Sequence, residues 1–378
     1  MFRCHPERSR GIFLGRFLTT FEMTNSNMIN LIDSIRKIKF PFFSNFEVYF
    51  DLGTTATKIA IKDKGVILRE PSVLAYNTRV KDYIFFGTEA KSVLGKTPDF
   101  IKIIKPVVNG IISDFDAEVA LIKKFLVRSA YLYFKNNWLK PALTAIASVP
   151  TSATEIEQKA VEEALYKAGF SQVFLIEKPL ATAAGCRINI FSHEPNLIAD
   201  LGGGLIELSV VGSGGIISQK TLKSAGDQMN KIIYNYVYLK YGVILGEATC
   251  EQLKINLLNF NDEEKIAAIR GKSLETGLPK SVKIKTSDIR EALLTNFNLI
   301  IDNIKELIES SPPEVLDEVM KKGIILTGGM AKIKGINKFI ADEIKIDVTF
   351  NEDFESSTVH GLMKLRRHEE DFSKLIIR

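Results

Sequence analysis

Residues 49–61 read "YFDLGTTATKIAI", and residues 198–210 read "IADLGGGLIELSV". Each stretch is an apolar run that ends in Asp-Leu-Gly, passes through small residues and resumes as an apolar run. This pattern is typical of a strand, a tight turn and a second strand. A glycine turn and a third apolar run follow in both places, at Gly65 and Gly215. The matched spacing predicts an internal structural repeat, and therefore two related lobes.

The rest of the chain alternates strand patterns with helix patterns. Residues 143–150, "LTAIASVP", have the composition of a buried strand, and residues 154–168 have the periodicity of a helix that ends at Gly169. This alternation predicts an α/β fold built in layers. A chain of 378 residues is long enough for two to three core-sized units.

Composition excludes several classes of protein. The chain is 46% hydrophobic and 25% charged, as in an ordinary globular protein. Its net charge of +5 comes without a long Lys/Arg block, so nucleic acid is not an expected partner. Cys4, Cys186 and Cys250 lie far apart without metal-type spacing, which fits a reducing cytoplasm. No uncharged apolar run is long enough to predict a transmembrane helix.

The repeated turns have the chemistry of a phosphate clamp. Glycine lets backbone N–H groups approach an anion, and the threonines of the first turn add hydroxyl donors. An aspartate before each turn, Asp51 and Asp200, is compatible with phosphate if hydrated Mg²⁺ lies between them. A single Asp-Leu-Gly also fits a plain hairpin, but two in matched contexts favour the clamp. The chain has neither a Walker-type loop nor a G-x-G-x-x-G after a strand.

From residue 46 to about residue 365 the chain resembles the actin-like ATPases, and among them the MreB family of bacterial rod-shape-determining proteins. The resemblance rests on both Asp-Leu-Gly turns and on three longer stretches. These are "VPTSATEIEQKAVEEALYKAGFSQVFLIEKPLATAAG", "SAGDQMNKIIYNYV" and "PPEVLDEVMKKGIILTGGMAKIKGI". It implies an actin-like ATPase fold, with two lobes, a duplicated ribonuclease-H-like mixed sheet flanked by helices, and a nucleotide cleft between the lobes.

The resemblance also divides the chain. It implies an N-terminal extension at 1–45, lobe I at 46–190, lobe II at 191–365 and a C-terminal tail at 366–378. Small subdomains are expected at about 75–108 in lobe I and about 225–288 in lobe II. The extension contains an amphipathic helix at 28–40, whose apolar face includes Ile32 and Ile35.

Roles for individual residues follow from the resemblance alone. It implies ATP and Mg²⁺ as cofactors, with Asp51 and Asp200 holding the metal through water and Glu177 positioning the attacking water. The implied phosphate contacts are Gly53, Thr54, Thr55, Ala56, Gly202, Gly203, Gly204 and Leu205. The implied nucleoside contacts are Gly226, Asp227, Glu251, Gln252, Leu253, Lys254, Gly328, Gly329, Met330 and Ala331. Taken alone, Glu177 also fits a solvated helix cap, and Glu251 with Lys254 a surface ion pair.

Two segments suggest a membrane surface. The helix at 28–40 is basic and amphipathic, so it either lies in a membrane interface or packs on its own domain. Trp138 and Leu139, in "NNWLKP", match a loop that inserts into lipid in the family. An exposed Trp suits the interface, but a Trp folded back onto its domain remains the alternative.

The chain departs from the family pattern at the phosphates. Leu205 and Ile206 stand where two threonines are usual, Ala56 where an asparagine is usual, and Met330 where a third glycine is usual. Each lost hydrogen bond to a charged phosphate costs about 1.5–3 kcal/mol. Nucleotide binding by a backbone cradle tolerates such losses better than hydrolysis does, because hydrolysis needs an accurately placed water. The substitutions therefore predict an ATPase that is slow or absent.

The implied function is that of an ATP-binding actin-like protein whose filaments associate with a membrane and help determine cell shape by organising cell-wall synthesis. Its expected partners are copies of itself, the inner face of the cytoplasmic membrane and cell-wall elongation proteins, and its expected location is the cytoplasm, peripheral at that membrane. The alternative is a degenerate scaffold that assembles or binds partners without hydrolysing ATP. A sugar kinase would need a base for an acceptor hydroxyl, and no residue has that context.

Overall fold

The computed structural model describes residues 46–130, 133 and 142–377. The helix expected at 28–40, with Ile32 and Ile35, lies outside the described residues, as do Trp138 and Leu139. None of the described helices is both long and apolar enough to cross a membrane.

Strands and helices alternate along the described chain. The strands are β1 (Phe46–Leu52), β2 (Ala56–Ile61), β3 (Gly65–Pro71), β4 (Leu74–Asn77), β5 (Asp82–Phe86), β6 (Ile101–Ile104), β7 (Val107–Val108), β8 (Ile111–Ile112), β9 (Leu143–Val149), β10 (Gln172–Glu177), β11 (Asn196–Leu201), β12 (Ile206–Gly212), β13 (Gly215–Leu222), β14 (Val243–Ile244), β15 (Ile266–Ser273), β16 (Pro279–Lys285), β17 (Ile324–Thr327) and β18 (Val348–Phe350). The helices are α1 (Thr88–Ser92), α2 (Phe115–Ser129), α3 (Glu155–Ala168), α4 (Lys178–Gly185), α5 (Gly226–Tyr241), α6 (Glu247–Leu257), α7 (Thr286–Glu309), α8 (Pro313–Lys322), α9 (Ile336–Ile344), α10 (Ser357–Arg366) and α11 (Glu369–Leu375). A short 3₁₀ turn spans Gly329–Lys332.

Two five-stranded sheets repeat one topology. The first has the order β3-β2-β1-β9-β10, and the second has the order β13-β12-β11-β17-β18. In each sheet three consecutive antiparallel strands are followed by two strands parallel to the first. The repeat predicted from the two Asp-Leu-Gly stretches is therefore present in the fold, as β1-β2-β3 and β11-β12-β13.

The central strands of both sheets are buried on both faces, which explains their continuous apolar runs. In β1 every residue after the first is buried, and in β12 all seven residues are buried. Both sheets form a large apolar core with the helices on one face. Because β1 and β11 lie at the centre of their sheets, the turns that follow them are held by the most buried part of each lobe.

Two small antiparallel sheets lie outside the main sheets. One has the order β5-β4-β6, and the other has the order β14-β15-β16. They fall within the ranges predicted for the small subdomains, about 75–108 and 225–288. The exact limits of the lobes and subdomains stay a prediction.

The last described helix, α11, lies within the range predicted for the C-terminal tail. Helix α10 packs along α4, and both helices share a core with residues of the two main sheets, among them Tyr49 and Ile198. Helix α11 follows, and its Phe372 packs edge-on against Phe174 of β10 with ring centroids 5.9 Å apart. Residues after 365 are therefore part of the packed structure, since Phe372 and Leu375 bury their apolar side chains there.

Helices α4 and α10 approach so closely that only glycine fits at their crossing. A Cβ on Gly361 would overlap the carbonyl oxygen of Ala181, and a Cβ on Gly185 would overlap that of Ser357. Thr182 and Thr358 exchange a hydrogen bond of 2.9 Å across the same contact. This helix pair joins the two main sheets at the base of the cleft described next.

Candidate functional site

The two Asp-Leu-Gly turns face each other across one cavity of about 520 Å³. This volume lies within the range of small-molecule sites in proteins. The turns are in direct contact: a Cβ on Gly203 would overlap Thr55 Oγ1, and a Cβ on Gly204 would overlap Thr54 Oγ1. Glycine at these positions therefore lets the two loops approach each other across the cleft.

Most of the residues predicted for the nucleotide site line this cavity. They are Asp51, Gly53, Thr54, Thr55, Ala56, Asp200, Gly202, Gly203, Gly204, Leu205, Gly226, Asp227, Glu251, Lys254, Gly328, Gly329 and Met330. The structure therefore brings together residues from both lobes that are up to 279 positions apart in the chain (Asp51 to Met330: 330 − 51). Their roles in binding stay predictions.

Four predicted residues do not line the cavity. Gln252 is exposed on α6, and Leu253 and Ala331 are buried in the core of the second lobe. Glu177 ends β10 and precedes α4, where it is partly buried, and this burial raises the pKa of its carboxyl group. Its neighbour Lys178 lines the cavity instead.

Each aspartate before a turn is paired with a lysine. Lys58 Nζ donates to Asp51 Oδ2 at 2.6 Å, and Lys178 Nζ lies 2.7 Å from Asp200 Oδ2. Lys178 Nζ also lies 3.4 Å from Glu207 Oε2, an ion pair without hydrogen-bond geometry. The predicted site residues did not include Lys58 or Lys178. Lys58 could have been found from the hairpin, because Asp51 and Lys58 are cross-strand partners in β1 and β2.

Burial and charge oppose each other in this cluster. Burial alone would raise the pKa of Asp51, but the ammonium groups of Lys58 and Lys178 outweigh it and hold that pKa below its usual value. Burial lowers the pKa of Lys178, whereas the carboxylates of Asp200, Glu207 and Asp51 raise it. The net effect is an increase, so Lys178 is charged. For Glu207 burial dominates and raises the pKa of its carboxyl group despite the nearby Lys178.

A second polar cluster lies on the side of the cavity formed by α5 and α6. Lys254 Nζ donates to the Gly226 carbonyl oxygen at 2.8 Å and to Glu251 Oε2 at 2.8 Å. Asn230 Nδ2 donates to the same Glu251 oxygen at 2.6 Å. Burial raises the pKa of Asp227, and the nearby Lys105 and Lys254 only partly offset this. The pair Glu251–Lys254 is therefore part of a network in the cavity wall and not a free surface ion pair.

The turn after β17 closes the cavity on a third side. Gly328 has a φ of +85°, and a Cβ there would overlap Asp200 Oδ1 and come within 2.6 Å of the Leu201 carbonyl oxygen. Glycine is therefore required both for the left-handed backbone and for the close approach. Met330 follows and is buried, with its side chain packed against the core of the second lobe.

Ion pairs join the two lobes at the rim of the cavity. The guanidinium of Arg69 on β3 forms two hydrogen bonds with the carboxylate of Glu355, which Lys332 also contacts at 2.7 Å. Lys105 pairs with Glu247 at the start of α6. These contacts are partly exposed, so each contributes little to stability, but together they link the two lobes at this rim.

The cavity fits a nucleotide better than it fits a metal ion. Glycines leave the backbone of both turns open to the cavity, and lysines supply positive charge for phosphate oxygens. Asp51 and Asp200 each bind an ammonium group through one carboxylate oxygen, and this positive charge disfavours Mg²⁺ at the same carboxylate. The described residues also contain no group of three or more His, Cys, Asp or Glu side chains arranged to hold a metal. The two ammonium groups therefore disfavour Mg²⁺ bound directly to these carboxylates, and the predicted contact through water stays a prediction.

The actin-like fold is defined by two lobes with the same strand order, which a crossing helix pair joins and a shared cavity separates. Solved structures agree with this. The chain superposes on MreB5 of Spiroplasma citri bound to ADP with a TM-score of 0.82 and 28% identity, covering 88% of this chain and 99% of that one. A MamK double helical filament matches with a TM-score of 0.71 at 17% identity, covering 86% and 99% of the two chains, which shows the fold.

Sequence comparison gives the family. Residues 45–374 match the model of the MreB/Mbl protein family. The cell shape-determining protein Mbl of Bacillus subtilis is 34% identical over 305 residues, which cover 80% of this chain and 90% of that protein. The cell shape-determining protein MreB of Escherichia coli K12 is 32% identical over 317 residues, covering 82% and 90%. The chain belongs to the MreB/Mbl family.

Proposed function

We propose that this protein binds ATP between its two lobes and assembles into filaments that help determine cell shape. The observation that carries the proposal is the single cavity onto which both Asp-Leu-Gly turns open. Relatives named as cell shape-determining proteins support the role in shape, and the structures of Spiroplasma citri MreB5 bound to ADP and to AMPPNP support the nucleotide.

The phosphates of ATP would bind where the two turns meet and both open onto the cavity. Gly203 and Gly204 contribute backbone from one turn, and Thr55 contributes an exposed hydroxyl group from the other. Backbone and hydroxyl donors on facing loops suit the several oxygens of a triphosphate. The Gly202 N–H donates to the Leu205 carbonyl oxygen at 3.0 Å, and this bond holds the shape of the turn. The backbone cradle therefore stays in place although Leu205 and Ile206 replace hydroxyl side chains.

The nucleoside fits against α5, α6 and the turn after β17. Lys254 and Glu251 supply polar groups there, and Met330 supplies an apolar surface. The proposed contacts at Gly226, Asp227, Gly328 and Gly329 line the same part of the cavity. This wall would be supported from outside the cavity by Gln252 and from the core by Leu253 and Ala331.

Hydrolysis is proposed to be slow. The residue expected to position water, Glu177, does not line the cavity. A general base must lie within hydrogen-bond reach of the water that it activates. Closure of the lobes around ATP would have to bring Glu177 nearer before it could act.

The membrane and cell-wall parts of the function rest on the family resemblance. We propose that the filaments lie at the inner face of the cytoplasmic membrane and organise cell-wall elongation proteins. The groups that would contact lipid are Trp138, Leu139, Ile32 and Ile35. Removing these apolar side chains should weaken binding to lipid vesicles without changing nucleotide affinity, and unchanged vesicle binding would contradict their proposed role.

A scaffold that assembles without hydrolysing ATP is the second candidate function. The position of Glu177 outside the cavity favours it. Both candidates are tested with the full chain, stripped of nucleotide and then supplied with ATP, AMPPNP, ADP or none of these. Filaments are measured by sedimentation and electron microscopy, and phosphate release is measured in parallel.

The proposed function predicts filaments with ATP and with AMPPNP, few filaments without nucleotide, and phosphate release that lags behind assembly. Equal assembly in all four conditions would contradict nucleotide control and favour the scaffold. Filaments with ATP but no phosphate release would support an ATP-dependent scaffold. A chain that neither binds nucleotide nor assembles would overturn the proposal.

A further inference from the structure

The repeated hairpins differ at one position with chemical consequences. In the first lobe the cross-strand partner of Asp51 is Lys58, whereas in the second lobe the cross-strand partner of Asp200 is Glu207. The repeat therefore places a lysine and a glutamate at equivalent positions next to equivalent aspartates. Two neighbouring buried carboxylates repel each other unless a cation lies between them.

Lys178 supplies that cation in the second lobe. It begins α4, directly after β10, and its ammonium group is 2.7 Å from Asp200 and 3.4 Å from Glu207. Its side chain is 18% exposed, and that of Asp200 is 9% exposed, so water screens the pair weakly. Lys58 and Lys178 both come from the first lobe, and Lys178 reaches across to Asp200 of the second, so each aspartate that precedes a turn is paired with a lysine.

These lysines face the space where phosphates are proposed to bind. Lys58 and Lys178 both line the cavity, together with Asp51 and Asp200. An ammonium group has three donors and no acceptor, so a lysine that binds one carboxylate oxygen has further donors for phosphate oxygens. The two ammonium groups also neutralise the two aspartates, which lowers the attraction of this site for a divalent cation.

We propose that Lys58 and Lys178 are built-in counter-cations of the phosphate site, so that nucleotide binds this protein nearly as well without Mg²⁺ as with it. The inference rests on the proposed nucleotide binding and adds which positive groups contact the phosphates. A magnesium ion at Asp51 or Asp200 would lie beside an ammonium group that already binds the same carboxylate, and the repulsion between the two cations disfavours it. The lysines instead bridge carboxylate and phosphate, as the metal would otherwise do.

The test is the affinity of the full chain for AMPPNP, measured by isothermal titration calorimetry in excess Mg²⁺ and in excess EDTA. AMPPNP is used so that hydrolysis does not alter the ligand. In the wild-type chain the dissociation constants in the two buffers should agree within about threefold. A wild-type chain that binds only with Mg²⁺ would overturn the inference and leave the proposed nucleotide binding intact.

The Lys178→Met variant should lose affinity in EDTA by about tenfold or more, because a charge-assisted contact with phosphate is removed. Affinity in Mg²⁺ should fall less, since Asp200 becomes available to a hydrated metal. Because this change leaves buried carboxylates without a cation, folding is checked by circular dichroism. The double variant Lys178→Met/Glu207→Gln and the single variant Lys58→Met provide independent versions with less unpaired charge.

Lys220→Met is the matched control. Lys220 is also a partly buried lysine, with 24% side-chain exposure, and it pairs with Glu306 away from the cavity. Its replacement should leave the ratio of the two affinities unchanged. Equal affinity ratios in the wild type and in every variant at Lys58 and Lys178 would also overturn the inference. Absence of AMPPNP binding in both buffers would overturn the proposed nucleotide site itself, and the inference with it.

Discussion

Glu118 provides a quantitative test of the packing in the first lobe. It lies in the first turns of α2, is fully buried, and neither of its carboxyl oxygens has a hydrogen-bond partner among the described residues. Burial raises the pKa of this carboxyl group from 4.5 to about 8. Because a buried carboxylate without a partner is costly, the folded protein keeps Glu118 protonated at neutral pH.

The sign of the pH effect follows from proton linkage. Above about pH 4.5 the unfolded chain releases the proton of Glu118, whereas the folded chain retains it up to about pH 8. Between these values the folded state binds more protons, so stability falls as pH rises. Each pH unit within this window costs about 1.4 kcal/mol, which gives roughly 3 kcal/mol between pH 5 and pH 7.5.

The perturbation is Glu118→Gln, which keeps the shape of the protonated side chain and removes its titration. We expect the variant and the wild type to have similar stability near pH 5, and the variant to be more stable by about 3 kcal/mol near pH 7.5. Urea denaturation followed by circular dichroism measures both free energies of unfolding. Asp116→Asn, at an exposed carboxylate on the same helix, is the control and should leave the pH slope unchanged. Parallel pH profiles for Glu118→Gln and the wild type would refute the reasoning.

Two further predictions concern the helix crossing and the nucleoside wall. Gly361→Ala should lower the free energy of unfolding by about 3 kcal/mol, because its Cβ meets the Ala181 backbone and no side-chain rotation relieves the overlap. Urea denaturation measures this loss. The control is Gly215→Ala, where a Cβ has open space and stability should change little. Equal losses of stability in the two variants would contradict the close packing of the helices. Lys254→Met should weaken nucleotide binding by about tenfold, because it removes the ammonium group that Gly226 and Glu251 hold in the cavity wall. Calorimetric titration with AMPPNP measures the loss, and unchanged affinity would exclude Lys254 from the site.

The repeated architecture could be predicted because local sequence patterns specify its strands and turns. Apolar runs, small turn residues and glycines marked β1-β2-β3 and β11-β12-β13, and the structure shows both in the same strand order. The C-terminal helices were harder to predict. Helix α10 is buried against α4, about 180 positions earlier, and no local pattern identifies a partner so distant.

The candidate site could also be predicted only in part. The glycine turns could be predicted from composition, and they line one cavity. The lysine pairs could not, because Lys178 reaches Asp200 only after α4 and β11 pack together. Glu118 was not predicted as a buried group. Asp114 caps α2 and accepts from the Ala117 N–H at 3.0 Å, and Glu118 lies on the buried face of this helix.

In the proposed function, the two repeated turns together hold the phosphates of one nucleotide in the cleft between the lobes. An experimental structure of the protein with AMPPNP measures this most directly. We expect phosphates in contact with both Gly53–Thr55 and Gly202–Gly204, and Lys58 and Lys178 in contact with the phosphate oxygens. Nucleotide bound elsewhere, or a cleft whose turns make no contact with phosphate, would contradict it.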